Sequence, residues 1–168
     1  VGIYNGLVRR RNTTDESWSD IDTELKRRHD LIPNLVETVK GYAAHEKTTL
    51  ENVIRARNAA AAPHASLEQL AKDENALMGS LRQLFAVAEA YPDLKANTNF
   101  LQLQQEVANT EDRVQRSRRF YNANVRDLNT AIESFPSNLI AGMFSFTKRE
   151  FFEIEEPSQR EAPKISFG

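Results

Sequence analysis

Three histidines, His29, His45 and His64, are the first residues whose chemistry could organise a site. A glutamate three positions before a histidine on a helix is the ligand pair of di-iron helical bundles. Here Lys26, Tyr42 and Ala61 hold those positions, so no such pair exists, and no His-Glu-x-x-His run occurs either. The histidines are therefore expected at solvent-exposed or helix-end positions. With zero cysteines there is no thiolate ligand and no thiol nucleophile. Neither a Gly-x-Ser-x-Gly elbow nor a glycine-rich phosphate loop is present. The acids Asp15, Glu16, Asp20 and Asp22 fall among solvated helix positions, as an ordinary charged face does. No catalytic residue, metal ligand or cofactor is expected, and the chain reads as a non-enzyme.

The cations allow two kinds of surface. Arg113, Arg116, Arg118 and Arg119 beside Phe120 and Tyr121 could meet nucleic acid. Interspersed acids, a formal charge of −2 and a pI near 6.0 favour a solvated face instead, so no nucleic-acid partner is expected. Arg9, Arg10 and Arg11 suit anionic lipid headgroups, each contributing about 1 kcal/mol near such a surface. They follow Val1-Gly2-Ile3-Tyr4-Asn5, which looks like the exit from a hydrophobic anchor lying upstream of a chain that lacks an initiator Met. No transmembrane run lies within the chain itself. A single-pass N-terminal anchor in a bacterial membrane is expected; the side stays open to charges upstream, and the positive-inside tendency favours the cytoplasmic one.

The elements that would position these groups are helices. Apolar residues recur at Trp18, Ile21 and Leu25 and again at Ile32, Leu35, Val39 and Tyr42, one face of an α-helix. Between the runs, Lys26, Arg27, Arg28 and His29 are cations suited to a helix C-terminus, and Pro33 disfavours helical geometry at Ile32. Cations followed by proline predict a stop, so a first helix ends near Asp30. A second is expected from Pro33 to about Ala62, with Leu50, Val53, Ile54 and Ala60 inward. Thr13-Thr14-Asp15-Glu16 offers a second possible start for the first helix. Ser66 with Gln69 caps a third, whose seam runs Leu67, Leu70, Leu77, Leu81, Leu84, Ala88 and Tyr91. Asn97 or Thr98 opens a fourth that keeps phase through Phe100, Leu103, Val107, Val114, Tyr121, Leu128, Ala131 and Phe135 until Pro136.

A turn at Pro33 makes the first three helices roughly equal, about 40 Å each. Equal rods favour an all-α, antiparallel up-down-up-down four-helix bundle with a long fourth helix and an aromatic C-terminal tail. The bundle domain is expected over 1–156, with an extended, flexible tail over 157–168. Both the first and the third turn would then lie at one end, gathering Arg27, Arg28, Asp30 and Asn34 with Asp93 and Lys95. Mutual capping of helix ends explains such a cluster, and a partner-binding distal tip is the sharper alternative. At the opposite end, Arg9, Arg10 and Arg11 would stand near Leu139, Ile140, Phe144 and Phe146. Those aromatics either lie on the bilayer or against a partner's transmembrane helix, or fold back to plug the base of the bundle. Most of the phenylalanines lie from Phe135 onward.

Several motifs carry a resemblance. The run from Ser17-Trp18-Ser19-Asp20-Ile21-Asp22 through Leu25-Lys26-Arg27-Arg28 and Asp30-Leu31-Ile32-Pro33-Asn34-Leu35-Val36 to Gly41-Tyr42-Ala43 and Glu46 resembles the longest motif of the LemA family. Tyr91-Pro92-Asp93-Leu94-Lys95-Ala96-Asn97 with Asn99-Phe100 is similar to its second. Tyr121-Asn122, Phe135-Pro136, Ala141, Phe144 and Phe152-Glu153 follow its C-terminal pattern. The chain departs from the family at Leu128-Asn129, where a second Tyr-Asn pair is common, and at Ser145, where glycine is usual. The resemblance implies an antiparallel helical bundle anchored in a bacterial membrane, without an agreed activity. Some relatives stand near membrane proteases and one branch with magnetosome membranes. It implies a membrane-linked scaffold or adaptor; the domain is expected to be monomeric or weakly associating, with a membrane or membrane-associated protein as its partner. A lipid-binding bundle, an unrecognised enzyme and a coiled-coil oligomer are the competing classes.

Overall fold

The apolar seam that begins at Leu7 is not interrupted at Pro33. In the computed structural model, which describes residues 1–155, α1 runs unbroken over Gly2–Lys40 with Pro33 inside it. The expected turn at Pro33 is therefore corrected, and the equal lengths that rested on it are lost. The expected tail over 157–168 lies outside the described residues.

A proline in a helix interior costs about 3 kcal/mol, because it clashes with the preceding turn and has no N–H for the carbonyl four residues back. That carbonyl belongs to His29, and Arg57 Nε donates to it at 3.2 Å. The proline ring itself is exposed, while Ile32, Leu35, Val36 and Val39 are all but completely buried. Each such aliphatic side chain contributes about 1.5–3 kcal/mol on burial, which outweighs the proline. The stop comes at Lys40, a cation in the last turn, with Gly41 behind it.

Five further helices follow: α2 over Lys47–Ala61, α3 over Leu67–Ala88, a short α4 over Pro92–Lys95, α5 over Thr98–Glu133 and α6 over Ser137–Met143. The chain is all-helical, with no strand among the described residues. The start of α3 is as the sequence predicts: Ser66 Oγ accepts from the Gln69 N–H at 3.1 Å. Asn97 Oδ1 accepts from the Phe100 N–H at 2.9 Å and opens α5 in the same manner.

Two compact units divide the chain. The first comprises Val1–Glu24 and Asp112–Phe152; the second comprises Leu25–Glu111 and the described residues from Glu153. The core of the second joins Leu35 and Val39 of α1, Leu50 and Val53 of α2, Leu77, Leu81 and Leu84 of α3, Leu94 of α4, and Phe100 and Val107 of α5. Ile54, expected to face inward, is 43% exposed, and Tyr42 is 42% exposed.

In the first unit the seam of α1 packs on α5, α6 and a non-helical segment running to Phe152. Leu7 lies with Ala141 and Phe146, and Trp18 meets the rings of Tyr121 at 5.4 Å and Phe152 at 5.3 Å. Two asparagines of α5, two turns apart on one face, hold the non-helical segment by its backbone. Asn122 Oδ1 accepts from the Phe152 N–H at 2.9 Å, and its Nδ2 donates to the Phe152 carbonyl at 3.0 Å. Asn129 brackets Arg149 in the same way, at 2.8 and 3.0 Å. Tyr121 adds a hydroxyl bond to the Glu150 carbonyl at 2.8 Å. Burial pushes its phenol above the ordinary range, against the opposing pull of Arg149, so the hydroxyl stays a donor. Ser145 turns the chain between Phe144 and Phe146 at φ 57°, a left-handed conformation that costs a side-chain-bearing residue about 1–2 kcal/mol.

Two measurements follow. Arg57→Ala is expected to destabilise by about 1–2 kcal/mol in urea unfolding, having orphaned the His29 carbonyl. In a Pro33→Ala background the helix N–H returns, and the same substitution should then cost measurably less. Equal costs in both backgrounds would show that Arg57 does not serve the proline. Asn122→Leu removes both partners of the buried Phe152 backbone, and a loss of about 2–4 kcal/mol is expected in the same assay.

Candidate functional site

The predicted distal tip is divided by the structure. Arg27, Asp30 and Asn34 lie within α1 rather than at a turn, and all three are exposed. Their spacing of three and four puts them on one outward stripe. Asp93 and Lys95 belong to α4, where Lys95 Nζ pairs with Glu89 at 2.7 Å. The connection around α4 meets the end of α1 instead. Tyr91 Oη donates to Glu46 Oε1 at 3.0 Å, Asn97 Nδ2 to Tyr42 Oη at 2.9 Å, and Asn99 Nδ2 to Thr38 Oγ1 at 2.9 Å. The hydrogen bond to Glu46, reinforced by burial and by that carboxylate's charge, pushes the Tyr91 phenol above its ordinary value. Thr38 is about 15 Å along the helix from Arg28, so the two halves of the expected tip are not brought together.

Arg28 is withdrawn from any surface role, since its exposure is 0%. Its Nη1 donates to Glu74 Oε1 of α3 at 3.0 Å and its Nη2 to Glu111 Oε2 of α5 at 2.8 Å. The neighbouring His29 is also buried and lies inside α1, contrary to the expected exposed or helix-end position, and its Nε2 stands 2.6 Å from Glu74 Oε2. With Glu74 ionised, that nitrogen must carry the hydrogen. One guanidinium, two carboxylates and one imidazole thus form a buried network within the second unit. Arg28 Nε is left with no hydrogen-bond partner. His64, half-buried, lies 2.7 Å from Asp73 Oδ2, and His45 is exposed. Among the described residues no group of three or more acids and histidines could hold a metal ion.

Glu74 and Glu111 belong to no recognisable motif, yet the sequence carries a signal for them. Glu74 falls on the apolar seam of α3 between Leu70 and Leu77, Glu111 between Val107 and Val114, and Arg28 between Leu25 and Ile32. Charges of opposite sign on inward seams mark a buried pair, whichever helices carry them. The arginines of α5 are corrected likewise. Arg118 is buried and donates to Gln115 Oε1 at 3.1 Å, and Arg113 is within 3.5 Å of Glu24, so the stretch is not a uniformly solvated face.

The predicted membrane-proximal residues separate into core and surface. Phe146 is buried and Ile140 packs beside it, so these two do fold back into the first unit. Leu139 is 57% and Phe144 53% exposed, joined by Met143 at 73% and Phe135 at 79%. Tyr4 of α1 touches the Phe144 ring at 4.7 Å, and Arg11 lies 4.7 Å over Phe146 as a cation–π contact. Arg9 and Arg10 are exposed. Among the described residues no helix is long and apolar enough to cross a membrane.

Breaking a buried ion network from one side is strongly destabilising, because the remaining charges lose their partner. Arg28→Met is expected to lower stability by roughly 3–5 kcal/mol, read from urea midpoints. Adding Glu74→Gln and Glu111→Gln should recover part of that loss. No recovery would mean that Arg28 acts through packing alone.

Known proteins place the chain. A model of the LemA family matches residues 17–167. The protein LemA of Metamycoplasma hominis is 28% identical over 159 residues, covering 93% of this chain and 71% of that protein. The magnetosome protein MamQ 2 of Paramagnetospirillum magneticum is 26% identical, covering 92% of this chain and 66% of its own length. The magnetosome protein MamQ of Magnetospirillum gryphiswaldense is 24% identical with the same coverage, so the chain spans about two thirds of these magnetosome relatives. The family match takes in the buried Arg28, Glu74 and Glu111 and both bracketing asparagines, and the chain belongs to the LemA family.

Proposed function

We propose that the protein is a non-enzymatic helical scaffold that works at a bacterial membrane. Its first unit rests on the lipid surface, and its second unit presents a face to a partner protein of that membrane. The observation that carries this is the run of exposed apolar side chains Phe135, Leu139, Met143 and Phe144 in the unit that also holds Arg9, Arg10 and Arg11. Leu139 and Met143 share one face of α6 at a spacing of four. Bulky apolar groups bordered by cations are the makings of an interfacial anchor on anionic lipid. The magnetosome proteins among its relatives fit this reading, as does the cytoplasmic side implied by the arginines.

The partner-facing surface in this proposal is the stripe Arg27, Asp30 and Asn34 of α1, with Asp93 and Lys95 as a separate patch. An up-down-up-down order of the four helical segments in the second unit belongs to the same proposal. It is supported by the side-chain contacts of His29 with Arg57, Glu46 with Tyr91, Thr38 with Asn99, and Arg28 with Glu111.

Vesicle flotation tests the membrane reading. The 168-residue chain is expected to float with phosphatidylcholine vesicles containing phosphatidylglycerol, and less well with phosphatidylcholine alone. Met143→Ser with Phe144→Ser should lower the partition about tenfold or more, since each loses a large apolar side chain from the interface. Failure to float with either vesicle would end this reading.

A further inference from the structure

A groove of about 700 Å³ opens in the first unit, where the first turns of α1 face the last turns of α5. Its lining includes Arg9, Arg10 and Arg126, the hydroxyl-bearing Thr130 and Ser134, and a single acid, Asp127. Among the described residues none of these three arginines forms an ion pair or a side-chain hydrogen bond. Three like charges around one concavity repel one another, and one carboxylate does not neutralise them. The backbone helps to gather them. A Cβ added at Gly6 would stand 3.2 Å from Arg10 Nη1 and 4.0 Å from Arg9 Nη2, so both guanidinium groups reach over a position that has no side chain.

We infer that this groove is a binding site for a phosphate group, held between Arg9, Arg10 and Arg126. Guanidinium forks match the paired oxygens of a phosphate, and three of them converging can serve three edges of the tetrahedron. The hydroxyl groups of Thr130 and Ser134 supply further donors on the α5 wall. Occupation removes the mutual repulsion of the arginines, which no ion pair among the described residues does. The phosphate can belong to an anionic lipid headgroup or to a soluble phosphate ester. The lipid source rests on the membrane reading above; the site itself does not.

The experiment has a soluble arm and a vesicle arm. Calorimetric titration of the 168-residue chain with glycerol 3-phosphate and inorganic phosphate reads the site without a bilayer. Flotation with vesicles containing phosphatidic acid reads it on one. Arg10→Gln and Arg126→Gln are each expected to weaken binding about tenfold or more in whichever arm binds. In the soluble arm, Arg11→Gln removes the same charge from the guanidinium over Phe146, outside the groove, and is expected to leave affinity within about twofold. Binding in the vesicle arm alone assigns the site to a lipid headgroup, and binding in both assigns it to the phosphate group itself. No binding in either arm overturns the inference. Equal loss with Arg11→Gln in the soluble arm also overturns it, since net charge alone would then suffice. Should flotation persist unchanged in Arg10→Gln and Arg126→Gln yet fall with Met143→Ser and Phe144→Ser, the groove is refuted and the membrane reading survives.

Discussion

The second unit depends on one buried guanidinium. Arg28 joins α1 to Glu74 of α3 and Glu111 of α5, positions far apart in sequence, and so fixes the level at which three helices face each other. Leucine seams alone are permissive about register, because one aliphatic layer resembles the next. A charge taken out of water accepts only the arrangement in which its partners are present. His29 extends the network to the second oxygen of Glu74, and its own carbonyl is the group that Pro33 leaves open and Arg57 closes. Polar constraint and helix continuity therefore meet within a single turn of α1.

Much of this was legible in the sequence. Helical periodicity gave the all-α class and the starts of α3 and α5, because Ser66 and Asn97 are local signals whose effect does not depend on distant residues. The proline misled for a reason of the same kind. The rule that proline ends a helix weighs the local backbone, and it cannot count the burial of Ile32, Leu35, Val36 and Val39 or foresee that Arg57 would arrive from another helix. His29 departs from its expected position on the same ground, since it sits beside a cation-rich run whose Arg28 is on the inward seam, whereas His45 is exposed as the sequence predicts. Long-range partners such as Glu74 and Glu111 could be suspected from charges on apolar seams, but their pairing could not be chosen without the fold.

The first unit shows how a helix can hold a chain that is neither helix nor sheet. An asparagine amide offers a donor and an acceptor side by side, matching the N–H and C=O of one extended residue. Asn122 and Asn129 use that match at two successive levels of α5, and Tyr121 supplements the first of them. Leu128 stands where the family commonly has a second tyrosine. Asn129 nonetheless keeps its bracket, so the amide is the part that holds backbone, and the tyrosine hydroxyl is an addition to it. With the segment pinned in this way, Phe146 and Phe152 are committed to the interior while Phe144 is left outside.

The two units are nested in the chain: the opening twenty-odd residues of α1 find their own partners only in the later part of α5 and beyond. On a ribosome the enclosed unit has nearly all its residues available first, whereas Leu7, Trp18 and Ile21 must wait for them to pass. A nascent or truncated polypeptide ending before Asp112 would carry that greasy stripe uncovered, a natural target for chaperones and proteases. The sealing of those early turns of α1 thus reports that α5 and the segment to Phe152 have been made.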